Sequence, residues 1–203
     1  MEQFVTGNRT FRQGFFRDHA ALFEELGKGQ HPLALYVGCS DSRVPIDLIA
    51  GAMPGDLFVV RTVGNIVPPS YYADACVGAA VEYAVDHLHV SHAIVCGHYG
   101  CGGIAAVVDE AAGHAHAFEP HLILWLGHAR PILERLPEEQ PDSRLRRAVE
   151  ENVRQQMGHL RGYSCVAAAE GAGTLRLHGW VYDWDSGLLL EDRGDGVFRP
   201  LEE

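Results

Sequence analysis

Three short apolar runs constrain the fold of this chain more than any other feature of its sequence. Residues 33–37 form the run LALYV, which a glycine closes, and the segments DLFVVR (56–61) and HAIVCG (92–97) repeat the pattern. Short runs rich in apolar, β-branched and aromatic residues are typical of buried strands. The sequence therefore predicts three buried strands.

An amphipathic helix is predicted between the second and third runs. The stretch DACVGAAVEYAVDHL (74–88) begins with Asp74, a residue type that favours the N-cap, and it carries apolar residues at helical spacing. A strand, a helix and a further strand in succession imply a parallel crossover. We therefore expect the strands to belong to a parallel sheet.

The rest of the chain adds covering helices and two more strands. Helices are predicted by the small residues at 104–112 and by the apolar faces within 121–136 and 142–160. A strand is predicted at TLRLHGWVY (174–182). After it, WDSG predicts a turn into an edge strand at LLLED. The predicted fold class is α/β with three layers. It has a mainly parallel central sheet of about four strands, an antiparallel edge strand, and helices on both faces.

Length and composition favour a single domain spanning residues 1–203. A chain of 203 residues that is 47% hydrophobic can bury one full core. Residues 1–29 carry five of the eight phenylalanines and predict an amino-terminal helical arm. Such an arm either packs on its own domain or wraps a partner subunit, and the sequence leaves both alternatives open.

The charge balance argues against a nucleic-acid partner. Asp and Glu number 27 against 16 Lys and Arg, the net charge is −11, and no basic run is present that would bind phosphates.

No stretch is typical of a membrane span or a secretory signal. Five cysteines, an odd number, argue against a disulfide framework. We expect a cytoplasmic protein with free thiols and with no membrane or nucleic-acid partner.

Two motifs at the ends of predicted strands carry metal-ligand chemistry. CSDSR places Cys39, Asp41 and Arg43 after the first strand, and GHYGCGG places His98 and Cys101 at the end of the third. In parallel sheets, ligands gather beyond the carboxyl ends of the strands. Two thiolates and one imidazole suit Zn²⁺, and three protein ligands leave one position open, which is the catalytic arrangement.

Asp41 and Arg43 are predicted to assist this metal. Two thiolates formally cancel the charge of Zn²⁺, so a bound water is acidified less than beside three neutral histidines. Asp41 can orient that water, while the planar fork of Arg43 keeps the carboxylate ionised and in place. The alternative for this pair is an ordinary salt bridge within a loop.

The β-class carbonic anhydrases are the family that these motifs resemble. The resemblance extends through GDLFVVRTVGNIVPP, VEYAVDHLHVSHAIVCGHYGCGGI and HGWVYD, and so covers most of the chain. It implies a zinc lyase that interconverts carbon dioxide and bicarbonate by attack of zinc-bound hydroxide, with one Zn²⁺ per subunit. Cys39, His98 and Cys101 match the family's zinc ligands, and Asp41 and Arg43 match its catalytic dyad.

The resemblance also implies a substrate pocket and an assembly. Gln30, Phe58, Val63 and Tyr83 fall on positions that line the family's pocket, and the amide of Gly102 matches a donor to the substrate oxygen. The family forms dimers through its amino-terminal arm and often tetramers. A homodimer or homotetramer is therefore expected.

A regulated subset of the family binds a non-catalytic bicarbonate with a Trp, an Arg and a Tyr. The matching positions here are Tyr36, Arg61 and Tyr182, so the Trp is replaced and regulation by bicarbonate is put in question. In that subset the Asp of the C-x-D-x-R motif also moves onto the metal. We expect Asp41 to alternate between Arg43 and Zn²⁺, with Zn²⁺ favoured at low pH.

Two other functions stay open on the sequence alone. A related hydrolase of carbon disulfide or carbonyl sulfide would keep the same zinc ligands and differ in access to its pocket. A non-catalytic module that responds to bicarbonate or zinc would keep the site without turnover. A panel of substrates separates these alternatives.

Overall fold

The computed structural model describes residues 1–72, 74–114, 119–137 and 140–201. Two compact units are present in the chain, Met1–His31 and Pro32–Glu203, and each is described by itself. None of the helices within the described ranges is both long enough and apolar enough to cross a membrane.

A mainly parallel sheet of six strands organises the larger unit. Its strands are β1 (Ala34–Cys39), β2 (Leu57–Thr62), β3 (His92–His98), β4 (Arg176–Tyr182), β5 (Leu189–Asp192) and β6 (Phe198–Pro200). In the order β2-β1-β3-β4-β5-β6, the first four strands run parallel, and β5 and β6 each pair antiparallel with the preceding strand. The predicted fold class is confirmed, and the short strand β6 is an addition to it.

Helices lie on both faces of the sheet. They are α4 (Ile46–Ile49), α5 (Ala75–Glu82), α6 (Gly102–Ala111), α7 (Pro120–Gly127), α8 (Pro141–Arg161) and α9 (Ser164–Gly171). Asp74 caps α5 as predicted, because its carboxylate accepts a hydrogen bond from the N–H of Val77 at 2.9 Å. The chain then continues into a π-helical turn, Tyr83–His87.

One predicted helix is divided in the structure. The apolar stretch 121–136 forms α7 and then a separate 3₁₀ turn, Arg130–Arg135, rather than one continuous helix. Pro131 lies in the first turn of the second segment, where the backbone N–H groups have no intrahelical partner, so its missing N–H removes no hydrogen bond. Inside an α-helix the same proline would remove one. The short helix α9 was not predicted.

The central strand β1 is buried on both faces. Leu35 and Val37 join a large core cluster that α5, α6, α8 and α9 complete, whereas Tyr36 points to a smaller cluster that includes Ile46 of α4. All six residues of β1 are buried. This double burial explains why the segment is apolar without alternation in the sequence.

Helix α8 packs across β3 and β4 at close range. A Cβ atom at Gly97 would lie 2.8 Å from Cγ2 of Val153, and one at Gly179 would lie 2.5 Å from Sδ of Met157. The two glycines therefore make room for α8 on this face of the sheet. As a result, polar side chains of α8 reach the end of the sheet where β3 terminates.

The amino-terminal unit is helical, as expected for the arm. It consists of α1 (Glu2–Gln13), α2 (Phe15–Asp18) and α3 (Ala20–Leu26), none of which contains a buried residue. Four rings pack together with centroids as close as 4.5 Å: Phe11, Phe15, Phe16 and Phe23. Phe4 stays 72% exposed, so this unit keeps an apolar surface.

Candidate active site

Three predicted ligand residues lie together at one edge of the sheet. Cys39 ends β1, His98 ends the parallel neighbour β3, and Cys101 follows in the turn into α6. Gly100 makes this turn with a φ of 65°, which glycine adopts without steric cost. The ligand atoms all lie within 4.8 Å of one another, and the two Sγ atoms are 3.9 Å apart. All three residues are buried.

The imidazole of His98 presents one nitrogen to the thiols. Nδ1 lies 3.0 Å from the carbonyl oxygen of Tyr99, and because a carbonyl only accepts, Nδ1 carries the proton. Nε2 therefore has a free lone pair. It is buried, and no hydrogen-bond partner for it exists among the residues that the structure describes. A buried, unsatisfied nitrogen of this kind is suited to bind a metal ion.

The two thiols titrate as a pair. The hydrogen bond from Cys101 lowers the pKa of Cys39, and contacts with His98 and with the backbone N–H groups of Asp41 and Gly64 act in the same direction against burial. The same hydrogen bond, together with burial, raises the pKa of Cys101. The pair therefore favours a thiolate on Cys39, and a metal ion would displace the proton that remains on Cys101.

This donor set fits zinc. Two thiolates and one imidazole are ligands for a borderline-soft ion, and a tetrahedral ion with three protein ligands keeps one open position. In the described part of the chain, no second group of three His, Cys, Asp or Glu side chains has this geometry. Cys101 also occupies the N-cap position of α6, where the helix dipole favours negative charge.

Asp41 lies beside the cluster and is held by Arg43. Arg43 donates from Nε to Oδ1 of Asp41 at 2.9 Å and from Nη2 to Oδ2 at 2.7 Å. This forked contact holds the pKa of Asp41 well below its usual range. Oδ2 is also 3.7 Å from Nε2 of His98. The structure thus brings the five residues of the two motifs together.

Arg61 anchors the loop that carries Cys39 and Asp41. Its Nε donates to the carbonyl oxygen of Cys39 at 3.0 Å, and its Nη2 donates to that of Asp41 at 2.7 Å. The family resemblance matches Arg61, Tyr36 and Tyr182 to the positions of a regulatory bicarbonate site in which the Trp is replaced here. Tyr36 is 1% exposed, and burial raises the pKa of its hydroxyl. Anion binding by these three residues stays a prediction.

The predicted pocket residues fall into separate groups. The rings of Phe58 and Tyr83 pack with centroids 5.9 Å apart, and Phe58 is level with Leu35 in β1. Val63 follows the last residue of β2, which is level with Cys39 at the other end of the sheet. Gly102 begins α6 beside the ligands, and Gln30 belongs to the amino-terminal unit.

Two buried amides of α8 were not predicted as part of the site. Asn152 donates from Nδ2 to the carbonyl oxygen of Gly64 at 2.9 Å, and Oε1 of Gln156 accepts from the N–H of Val67 at 3.0 Å. Both amides are fully buried. They hold the loop after β2, whose Gly64 N–H faces Cys39. Their sequence signature is two amide residues four apart on an otherwise apolar helix face.

Comparison with known proteins agrees with this geometry. A family model described as carbonic anhydrase matches residues 34–189. The curated carbonic anhydrase of Pseudomonas aeruginosa is 39% identical over 98% of this chain and 90% of its own length.

Solved structures of β-carbonic anhydrases share the fold. One has a TM-score of 0.92 at 36% identity and covers 100% of this chain and 92% of its own. A tetrameric β-carbonic anhydrase from Sordaria macrospora has a TM-score of 0.82 at 30% identity, with 98% of each chain covered. Both the matched span and the site at the strand ends lead to one assignment: this chain belongs to the β-class carbonic anhydrases.

Proposed function

We propose that this chain catalyses the reversible hydration of carbon dioxide to bicarbonate and a proton at the Cys39–His98–Cys101 cluster. The observation that carries the proposal is the juxtaposition of three buried ligand atoms with an ionised carboxylate, since Oδ2 of Asp41 is 3.7 Å from Nε2 of His98. The three residues would hold Zn²⁺, which supplies Lewis acidity that lowers the pKa of water at its open position.

Asp41 is placed to orient water at this site. Its carboxylate would accept a hydrogen bond from the water and so hold the water's oxygen toward carbon dioxide. Because Arg43 donates a hydrogen bond to each oxygen of Asp41, the carboxylate is held in one orientation. Asp41 would therefore position the water, and the released proton would pass to solvent buffer.

The start of α6 provides the environment for the anionic product. Helix α6 begins at Gly102, and a helix N-terminus favours negative charge. A Cβ atom at Gly103 would lie 3.2 Å from Cγ1 of Val63, so Val63 packs closely on this turn. The side chain of Val63 is 41% exposed and offers an apolar surface to carbon dioxide.

A second copy of the chain completes the substrate pocket in this proposal. Phe58 lies near the start of β2, and Val63 follows its last residue five positions later, which corresponds to roughly 16 Å at the rise of an extended strand. Tyr83, beside Phe58, is 46% exposed. The tetrameric state of the Sordaria macrospora relative supports assembly of this chain into an oligomer. The exposed ring of Tyr83, with the half-buried Phe58 beside it, would then face Val63 of another copy.

Complementation tests this shared pocket. A Phe58→Ala/Tyr83→Ala variant keeps the ligand cluster, and an Asp41→Ala variant keeps the aromatic pair. If each pocket combines two copies in a symmetric dimer, refolding an equal mixture should restore up to about a quarter of wild-type activity, because half of the dimers are hybrids with one intact site. No recovery in a mixture that sediments as an oligomer would contradict the shared pocket.

The predicted alternation of Asp41 is a separate part of the proposal. In this structure Asp41 is paired with Arg43 through both oxygens. Movement onto the metal would require that pair to break and would close the open position. Structures determined at low and at high pH test this alternation, and an unchanged Asp41–Arg43 pair in both would contradict it.

Zinc analysis and stopped-flow hydration test the enzymatic function. Wild type should contain stoichiometric zinc and hydrate carbon dioxide, Cys101→Ala should lose the metal, and Asp41→Ala should keep it while hydrating about 100-fold more slowly. Cys165→Ala, at a half-buried thiol in α9, is the matched control. Wild-type rates in either site variant would overturn the proposal. Turnover of carbonyl sulfide or carbon disulfide without hydration would favour the hydrolase.

A further inference from the structure

Trp184 lies in the turn after β4, where it touches both halves of the site. One half is His98 with the two thiols, and the other is Asp41 with Arg43. The turn follows Tyr182, which is level with His98 in the parallel neighbour β3. The half-buried indole packs edge-on against the imidazole of His98, with ring centroids 5.6 Å apart and an interplanar angle of 87°. Neither of the two sequence motifs includes this residue.

The indole N–H reaches the carbonyl that orients His98. Nε1 of Trp184 donates to the carbonyl oxygen of Tyr99 at 2.6 Å, and the same oxygen accepts from Nδ1 of His98 at 3.0 Å. A carbonyl oxygen has two lone pairs, so it satisfies both donors. Trp184 thereby restrains the peptide on which the tautomer and the orientation of His98 depend.

A second contact joins Trp184 to Arg43. The guanidinium carbon of Arg43 lies 4.8 Å from the centroid of the indole ring, which is within the range of a cation–π contact. The side chain of Arg43 is 60% exposed. Holding such a side chain in one geometry costs rotamer entropy. The indole surface limits where the guanidinium can lie while its fork holds Asp41.

We propose that Trp184 is a positioning residue that couples the two halves of the zinc site. Through the carbonyl of Tyr99 it fixes the ring of His98, and through its face it fixes Arg43 and hence Asp41. An aliphatic side chain would fill the same turn but offers neither the N–H nor the π surface. This inference rests on the proposed function, because both halves matter only if the cluster binds metal and hydrates carbon dioxide.

Two substitutions separate the two contacts of Trp184. Trp184→Phe keeps a ring for Arg43 and removes the N–H, so zinc release to a chelator should accelerate by about 10-fold with kcat little changed. Trp184→Leu removes both contacts, so kcat should also fall by about 10-fold at an unchanged KM. Trp180 is the matched control, since its indole lies with the smaller core cluster and contacts Glu191 instead. Trp180→Phe and Trp180→Leu should alter neither quantity.

A double-mutant cycle distinguishes positioning from general packing. If Trp184 acts on turnover through Arg43, then Trp184→Leu should not lower kcat further in an Arg43→Ala background, although it should still accelerate zinc release. Zinc release and kcat that match the Trp180 controls would overturn the proposal, as would a full additional loss of kcat in the Arg43→Ala background. A wild-type protein without zinc or hydration activity would instead contradict the proposed function.

Discussion

The carboxylate of Asp41 and the imidazole of His98 approach each other to 3.7 Å between Oδ2 and Nε2. This nitrogen has no hydrogen-bond partner within the ranges that the structure describes. The loop after β1 must therefore be held in a fixed position relative to the end of β3 for the carboxylate to face the ligand atoms. Arg43 and Arg61 hold that loop, and each makes a distinct prediction.

Arg43→Lys should slow hydration without releasing the metal. A lysine keeps the positive charge but replaces the planar fork with a point charge, so the two oxygens of Asp41 are no longer both fixed. We expect kcat to fall by about 10- to 100-fold while zinc content stays at the wild-type level. Stopped-flow hydration and metal analysis measure the two quantities. A wild-type kcat in this variant would show that the forked geometry is dispensable.

Arg61→Met should weaken metal binding. The substitution removes the two donors to the carbonyl oxygens of Cys39 and Asp41 and leaves the loop less restrained. We expect the Kd for zinc to rise by about 10-fold, as measured by competition with a chelator. Arg130→Met, which breaks a surface pair with Glu110, is the control and should leave the Kd unchanged. Equal values for both variants would contradict the anchoring role of Arg61.

The same glycine-to-alanine change should have opposite effects at two positions. A Cβ at Gly97 would lie 2.8 Å from Val153, a stiff β-branched side chain, whereas one at Gly158 in α8 meets nothing within 4 Å. Gly97→Ala should lower the free energy of unfolding by roughly 1–3 kcal/mol, and Gly158→Ala should raise it by about 0.5–1 kcal/mol. Urea denaturation measures both. A stabilising Gly97→Ala would show that α8 is not packed this tightly.

Stability should fall as the pH is lowered, in part through His159. Burial lowers the pKa of His159, whose Nδ1 donates to the carbonyl oxygen of Val67 at 2.7 Å. The unfolded chain binds the proton more readily, at a pKa of about 6.5. The stabilising contribution is therefore complete above that pH and is lost as the pH falls through the lower folded value. Burial lowers the pKa of His128 and of His92 in the same way.

His159→Asn isolates this contribution, because an asparagine can still donate to Val67. Urea denaturation at about pH 7.5 and about pH 5.5 should show a smaller loss of stability in the variant than in wild type. An identical loss in the two proteins would exclude His159 as a source of the pH dependence.

The parts of the fold that follow local rules were predictable from the sequence. Continuous apolar runs marked β1 and β3 because both strands are buried on two faces. Asp74 marked the start of α5, since an N-cap depends only on its own helix. The division of the helix at Pro131, the helix α9 and the strand β6 were missed because their apolar patterns are short or interrupted.

The candidate site was predictable in its chemistry but not in its supports. The motifs CSDSR and GHYGCGG, both at the ends of predicted strands, together pointed to Cys39, His98 and Cys101 as zinc ligands, because two thiolates and one imidazole suit zinc. Trp184 has no such signature, and the two amide residues Asn152 and Gln156 on an apolar helix face indicate buried hydrogen bonds without identifying the partners. All three side chains act through contacts between segments that are 85 to 89 positions apart in the chain. Pattern analysis does not detect partners at that separation.

By itself, the sequence determined which candidate metal ligands and polar side chains follow which strands, because residue type and hydrophobic periodicity are local properties of the chain. Only the tertiary structure decided how those residues meet. The parallel pairing of β1 with β3 brings Cys39 to His98, and Arg61 reaches back from β2 to hold the loop of Asp41. These contacts depend on strand register and helix packing, and they exist only once the whole sheet has formed.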